Sequence, residues 1–350
     1  MIAPTDQPTV TIKDIAARAG VSISTVSRVI NQTARVDPAT ELRVHEAIAV
    51  LGYRPNLLAR SFRRRITQTI GLLVPDNSNP YFAEMARVIE DAGFDEGYSV
   101  ILCNSDLSQG KQAGYIDVLL AKRVDGIIMI STGLIPGEDT DLDLVRIRQA
   151  GVPCVVIDRD LGDVPIDQIL VDNHEGGYCA GRYLIDEGHR DLACVVGPND
   201  LTPSAGRIAG FRRALAEAGI ALPPEALVRG NGRYDGGASA VDELRRREVR
   251  FSAIFAFNDQ MAIGVIGALR RAGISVPGDV SVIGFDNIPH GAAVYPAVTT
   301  IAQPIAEMGK TGLRMLLDRI REPSAPPRRV VLSTRLLERE SVAPYRATGT

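Results

Sequence analysis

The stretch Val10-Thr11-Ile12-Lys13-Asp14-Ile15-Ala16-Ala17-Arg18-Ala19-Gly20-Val21-Ser22-Ile23-Ser24-Thr25-Val26-Ser27-Arg28-Val29-Ile30-Asn31 reads as two short helices joined by a tight turn. Thr11 is placed to cap the first helix, whose apolar residues Ile12, Ile15, Ala16 and Ala19 recur at helical spacing. Gly20 supplies the backbone freedom for the turn, and Ser22 can cap the second helix. There Val26, Val29 and Ile30 share one face and must pack on the first helix, which leaves Ile23, Ser24, Thr25 and Arg28 pointing outward. A short helix with small hydroxyls and one Arg on its free face suits the major groove of DNA. Geometry alone also allows an ordinary helical hairpin with a solvated face.

Residues 1–9 read as a disordered lead. Downstream, Asp37-Pro38 reads as an N-cap followed by proline at the first helical position, and the helix it starts puts Val44, Ile48 and Leu51 on one face before Gly52 ends it. Three helices then close one small core. Next comes Arg54-Pro55-Asn56-Leu57-Leu58-Ala59-Arg60-Ser61-Phe62-Arg63-Arg64-Arg65. It has room for about two helical turns, too few to be stable alone in water, so it orders only against a partner. The alternative is a basic disordered linker. Residues 1–65 carry ten Lys/Arg against five Asp/Glu, a surplus of +5, whereas the whole chain carries −3 and the remainder therefore −8. A basic head on an acidic body fits nucleic-acid binding confined to one end.

With 350 residues and 45% apolar content, two or three domains with real cores are expected. From Gln68 strands and helices alternate: strand Thr69–Val74, helix Pro80–Gly93, strand Ser99–Cys103, helix Lys111–Ala121, strand Gly126–Ile130, helix Leu142–Ala150 and strand Cys154–Ile157. A second series runs through strand Gln168–Val171, helix Glu175–Glu187, strand Leu192–Val196, helix Ser204–Ala218 and strand Ala226–Val228. It ends with helix Gly237–Arg247, strand Ala253–Ala256, helix Gln260–Ala272 and strand Val280–Gly284. Such alternation predicts parallel sheets covered by helices, and two series predict two similar lobes.

Ligands of doubly wound sheets bind beyond the carboxyl ends of the strands. After the first strand, Asn79-Pro80 reads as a helix cap, and the same loop is expected at the ligand through Asn79 and through Tyr81 or Phe82, which offers a ring to the C–H face of a sugar. Further strand ends deliver Asp158 and Arg159, then Asn258, then Asp286, and the loop before the helix at Ser204 leads to Arg207. Carboxylates, guanidinium groups and amides can each take two neighbouring hydroxyls in a directional way. Each residue alone could equally be a cap or an interlobe ion pair.

The motifs Thr11-Ile12-Lys13-Asp14-Ile15-Ala16, Ala19-Gly20-Val21-Ser22 and Thr25-Val26-Ser27-Arg28-Val29-Ile30-Asn31 resemble the DNA-binding head of the lactose-repressor (LacI-type) family of bacterial transcription regulators. The resemblance continues over nearly all of the chain. It implies an α/β protein with an N-terminal helix-turn-helix headpiece and a two-lobed core like that of periplasmic sugar-binding proteins, built on two doubly wound parallel sheets. The implied layout is a helix-turn-helix domain over 10–53, a hinge helix and linker over 54–67, a first lobe over 68–167 plus 299–326, and a second lobe over 168–298 plus 327–345. Three crossings between the lobes are implied, with Ala302–Arg321 returning to the first lobe, Pro-rich Glu322–Pro327 as a late crossover and Arg329–Leu336 in the second.

On DNA, Ile23, Ser24 and Arg28 are expected at base edges, Ile23 on thymine methyls and Arg28 on guanine. Lys13, Thr25, Ser27 and Asn31 are expected on phosphates. The resemblance places Ala59 and Phe62 of the hinge helix in the minor groove, with Phe62 as the wedge where the family pattern usually has Leu. A homodimer reading a near-palindromic operator is implied. Arg207 and Asp286 match positions that hold sugar hydroxyls in sugar-responsive members. The purine-responsive pattern has an Arg where Leu201 stands and an aromatic where Gly232 stands, which argues against a purine base. Thr202-Pro203-Ser204 resembles ribose-type repressors, so a pentose such as ribose is the first expectation and a hexose the second.

Four scattered cysteines (Cys103, Cys154, Cys179, Cys194) have no metal-site spacing and read as reduced thiols. No metal, cofactor or catalytic residue is expected. His45, His174, His189 and His290 suggest no triad, and Asp76-Asn77-Ser78-Asn79-Pro80 stands where a Gly-rich phosphate loop would follow the first strand. The enzyme reading is therefore poor. The first thirty residues hold no signal-peptide core and no stretch approaches a membrane span, so a cytoplasmic, nucleoid-associated protein is expected. The main rival, a sugar-binding or transport protein without a regulatory role, accounts for residues 68–350 but not for the basic head.

Overall fold

The computed structural model describes residues 10–31, 34–53, 66–130, 140–197 and 202–346. The chain forms two units, residues 1–67 and 68–350.

In the first unit α1 (Ile12–Ala19) and α2 (Ile23–Asn31) are joined through Gly20, whose φ of 64° is the left-handed conformation that glycine adopts without strain. Both the amide and the hydroxyl of Thr11 donate to the Asp14 carboxylate at 2.7 Å, so the acid satisfies the helix start and the Thr11 oxygen does not. Helix α3 (Pro38–Leu51) starts on Asp37, whose carboxylate accepts from the Thr40 amide, and ends at Gly52. The three helices enclose Ile15, Ala16, Ala19, Val26, Val29, Val44 and Ala47, with Ile48 and Leu51 at the margin. The expected hinge helix, with Ala59 and Phe62, lies outside the described residues, as do the lead 1–9 and Leu201.

The second unit runs β1 (Thr69–Val74), α4 (Pro80–Asp95), β2 (Ser99–Asn104), α5 (Gln109–Ala121), β3 (Gly126–Met129), α6 (Thr140–Gln149), β4 (Cys154–Ile157) and β5 (Asp167–Val171). It continues through α7 (Asn173–Asp186), β6 (Leu192–Val196), α8 (Thr202–Glu217), β7 (Leu227–Arg229), α9 (Tyr234–Arg246), β8 (Ala253–Ala256) and α10 (Asp259–Arg271). Last come β9 (Ser281–Asp286), α11 (Pro289–Ala293), β10 (Thr299–Ala302), α12 (Ile305–Arg321), β11 (Arg329–Leu332) and β12 (Arg335–Leu337). No helix among the described residues is long and apolar enough to cross a membrane.

Two six-stranded sheets carry this unit, ordered β2-β1-β3-β4-β5-β11 and β7-β6-β8-β9-β10-β12. All pairings are parallel except β10 with β12. The central strands are buried along their length, save Thr69 at the start of β1, as expected of sheets covered on both faces.

Three strands sit elsewhere than the sequence layout had them. β5 pairs with β4 in the first sheet, β10 pairs with β9 in the second, and β11 pairs with β5 in the first. The layout implied by the resemblance starts the second lobe at 168, and no helix separates β4 from β5 to mark them as neighbours in one sheet. The chain instead makes that parallel connection with an irregular loop and crosses between lobes at Asp172, at Gln303 and between Leu332 and Arg335.

The Pro-rich stretch 322–327 is not a crossover either. Fully buried Asp167 accepts from Arg319 Nη2 at 3.0 Å and from the Arg328 amide at 2.7 Å, and Arg319 also donates to the carbonyls of Ala325 and Pro326. This cluster ties the stretch to the first lobe, because a buried carboxylate is tolerated only when its oxygens are satisfied. The two cations and these hydrogen bonds outweigh burial and hold the Asp167 carboxyl below its ordinary range.

Candidate functional site

Side chains that follow strand ends of both sheets line a small cleft of about 100 Å³ between the lobes. Asn79, Tyr81 and Phe82 reach it from the start of α4, Asp158 and Arg159 from the end of β4, and Arg207 from α8. Asn258 follows β8 and Asp286 ends β9. The eight effector candidates therefore share one site.

Their roles divide. Asn79 is the N-cap of α4, its carbonyl oxygen accepting the Tyr81 amide at 3.0 Å. Asn258 caps α10 through the Met261 amide at 2.8 Å and donates to the Gly232 carbonyl at 2.8 Å. Both amides are spent largely on local structure. Tyr81 is buried and turns its hydroxyl to Gln303 Oε1 at 3.2 Å, its ring meeting Phe82 edge to face at 5.0 Å. Burial holds its phenol well above the usual range. Phe82 is the ring left half-open to the cleft.

The charged groups are held tightly. Arg159, only 2% exposed, donates through Nη1 to the Asp158 carbonyl at 2.8 Å and to Asp158 Oδ2 at 2.9 Å. Asp158 Oδ1 is buried with no hydrogen-bond partner among the described residues. An orphaned buried acceptor is costly, of order 1–3 kcal/mol, and here it belongs to a residue that lines the cleft. Arg207 lies 3.7 Å over the Phe285 ring and donates to Asn173 Oδ1 at 2.8 Å and to the Phe257 carbonyl. Its Nη2 stands 3.6 Å from Asp286 Oδ1, an ion pair beyond hydrogen-bond reach.

Arg207 gets there because α7 and α8 touch backbone to backbone. A Cβ on Gly177 would come within 2.1 Å of the Arg207 carbonyl oxygen, so no larger residue allows that approach. Gly237 makes the same allowance between α9 and Met261 of α10.

Sequence reasoning missed Gln303, Phe257, Asp76 and Arg233, all of which line the cleft. Gln303 donates to Asp286 Oδ1 at 2.7 Å while accepting from Tyr81. It follows β10, so the strand-end rule would have found it had β10 been given to the second sheet. Behind the site, buried Asp259 accepts from Thr300 Oγ1 at 2.6 Å and from the Ile288 amide at 2.9 Å. Burial pushes the Asp286 carboxyl up to about 7 against the pull of Arg207 and Gln303. Burial, and then the charge of Asp286, push Asp259 up to about 8.

In the first unit Ile23, Ser24 and Arg28 are exposed on α2 and Lys13 on α1, while Thr25 and Ser27 are half-buried. The Ser22 oxygen accepts the Thr25 amide at 3.2 Å and lies 2.9 Å from the Thr25 hydroxyl, so Thr25 is partly engaged in the helix start. The Asn31 side chain lies outside the described residues.

The profile of the bacterial regulatory proteins of the lacI family matches residues 11–56, and that of the periplasmic binding protein-like domain matches 182–342. The HTH-type transcriptional repressor PurR of Vibrio campbellii is 40% identical over 332 residues, covering 95% of this chain and 98% of that protein. The chain belongs to the LacI family.

Among solved structures, the lac repressor dimer bound to operator and the anti-inducer ONPF superposes with a TM-score of 0.84 at 27% identity, covering 95% of this chain and 99% of that one. A LacI-family regulator from Enterococcus faecium with bound ribose matches 79% of this chain and all of that one, with a TM-score of 0.72 and 35% identity. Like other LacI-family members, the protein is a DNA-binding transcriptional repressor with an effector-binding core and not an enzyme.

The two raised carboxyls behind and in the cleft bear on the pH response of this core near neutrality. They keep their protons in the folded protein where unfolded carboxyls, ionising near pH 4, have lost them. At these two groups the folded state binds more protons from about pH 4 to 8, so their contribution to stability is fullest at the acid end and is lost as pH rises through that window. The melting temperature of the ligand-free protein should fall between about pH 6 and 8.5, and Asp286→Asn should flatten the part near pH 7. A wild-type melting temperature that holds or rises over this range contradicts the assignment.

Proposed function

We propose that this repressor is a homodimer whose operator affinity is switched by a sugar, a pentose such as ribose before a hexose, held between the lobes. The observation that carries the reading is the unpartnered Oδ1 of Asp158, a residue lining a cleft that also presents Asp286, Arg159, Arg207 and Gln303. A ring bearing several hydroxyls satisfies carboxylates as a donor and guanidinium groups as an acceptor, while Phe82 and Phe257 receive its C–H faces. A cavity of about 100 Å³, far below the roughly 300–1,000 Å³ of drug-sized sites, favours a single ring. The ribose-bound regulator from Enterococcus faecium supports the same class.

One observation favours a purine instead: relatives named PurR reach 39–41% identity over at least 95% of the chain. Against it, Gly232 offers no ring for a base to stack on where the purine-responsive pattern has an aromatic, and its carbonyl is taken by Asn258. As a repressor of chromosomal genes, the protein would work in the cytoplasm.

Heating the protein with ribose, other pentoses, hexoses, hypoxanthine and guanine decides between these readings. A ligand at 100 times its Kd adds ~2.7 kcal/mol to folding, a clear rise in melting temperature. Ribose should give it, and Asp286→Ala should abolish it while operator binding survives. A rise with the bases alone overturns the sugar reading.

On the DNA side, exposed Ile23, Ser24 and Arg28 are assigned to base edges and Lys13, Thr25, Ser27 and Asn31 to phosphates, with Ala59 and Phe62 in the minor groove. Arg28→Ala should cost ~1–3 kcal/mol on the best operator and relax base preference at one position per half-site. An equal loss on every sequence, read by binding to a randomised DNA pool, contradicts base reading by Arg28.

A further inference from the structure

Every guanidinium group that lines the cleft is matched by its own carboxylate. Arg159 pairs with Asp158 at 2.9 Å and Arg207 with Asp286 at 3.6 Å. Arg233 of the second lobe reaches across to Asp76 of the first, Nη2 to Oδ2 at 2.8 Å and Nε to the same oxygen at 3.1 Å. Asp76 is buried and built for this contact. Its other oxygen accepts from the Ser78 hydroxyl and amide, at 2.5 and 3.0 Å, which fixes the carboxylate with Oδ2 toward Arg233. Asp106, 3.8 Å from Arg233, adds a further negative charge.

The position of this third pair matters. Asp76 follows β1, one strand in from the edge of its sheet, and Arg233 follows β7, the edge of the other, both in the half of the sheet away from β5, β11, β10 and β12, where the chain crosses between lobes. It therefore closes the cleft on the side opposite the crossings. Arg233 keeps a side-chain exposure of 46%, against 2% for Arg159 and 8% for Arg207, so it is the cleft cation that a charged group on a ligand could reach from solvent. The segments 131–139 and 198–201 that flank the described strand ends contain no Lys or Arg.

We infer that the cleft accepts only uncharged ligands, and that Asp76 is the residue that enforces this by occupying Arg233. The inference rests on the proposed sugar site and narrows it to the free sugar, excluding its phosphate esters. A phosphate entering the cleft must shed its hydration and, above the titration of Asp286 near pH 7, finds each guanidinium already facing a carboxylate, with Asp76 and Asp106 adding repulsion. An unphosphorylated ring needs no extra cation.

The test compares melting temperatures with ribose, ribose 5-phosphate and inosine at about pH 8, for wild type, Asp76→Asn and the double variant Asp76→Asn with Arg233→Ala. Wild type should respond to ribose and not to its 5-phosphate. Asp76→Asn should gain a response to the phosphate ester, and the double variant should lose it again, which separates a freed cation from a merely loosened cleft. A wild-type response to ribose 5-phosphate equal to that to ribose overturns the inference, and so does an Asp76→Asn protein that still ignores the ester. Silence with ribose together with a response to inosine removes the sugar reading while the restriction to uncharged ligands stands.

Discussion

Gln303 donates to the Asp286 carboxylate and accepts from the Tyr81 hydroxyl at the point where the chain passes from the second sheet back to the first. One amide thus ties a first-lobe helix to a second-lobe strand end, and it does so in the same cleft as buried Asp158, Arg159 and Arg207. Removing any partner would leave a polar group unsatisfied out of water, which costs more than the bond itself contributes. The cleft is therefore a place where lobe geometry and charge satisfaction are one problem. Any rotation of the lobes changes which oxygens are paired, and any ligand that pairs them biases the rotation.

The surrounding fold serves this arrangement. Two sheets of matching strand order present corresponding strand ends to a common cleft. Close helix contacts through Gly177 and Gly237 set Arg207 and the start of α10 at its wall. Asp259, one residue beyond Asn258, holds the Ile288 amide and the Thr300 hydroxyl, and so fixes the segments that carry Asp286 and Gln303.

Much of this was legible in the residue order, and the limits have physical causes. Helix starts announced themselves through Asp37-Pro38 and Asn79-Pro80, because capping is a local interaction. The small core of Ile15, Val26 and Val44 followed from 3.6-residue spacing. The sheet membership of β5, β10 and β11 did not, since strand pairing is a long-range choice that a run of apolar residues leaves open. Asn79 and Asn258 were expected on a ligand as well as at helix starts, but their side chains are engaged mainly in caps. Asp76 and Arg233 escaped notice because 157 positions separate them, and only the facing of the two lobes makes them a pair.

The central claim is that a molecule in this cleft changes how the headpieces hold DNA. The direct measurement is the affinity of the full-length protein for its preferred operator, selected from a randomised pool, with and without saturating ribose at fixed salt. Coupling between two such sites is typically 1–3 kcal/mol, so the account predicts a change of roughly 5- to 150-fold, in either direction. An operator affinity left unchanged by saturating ribose, with ribose binding to the protein independently verified, would contradict it.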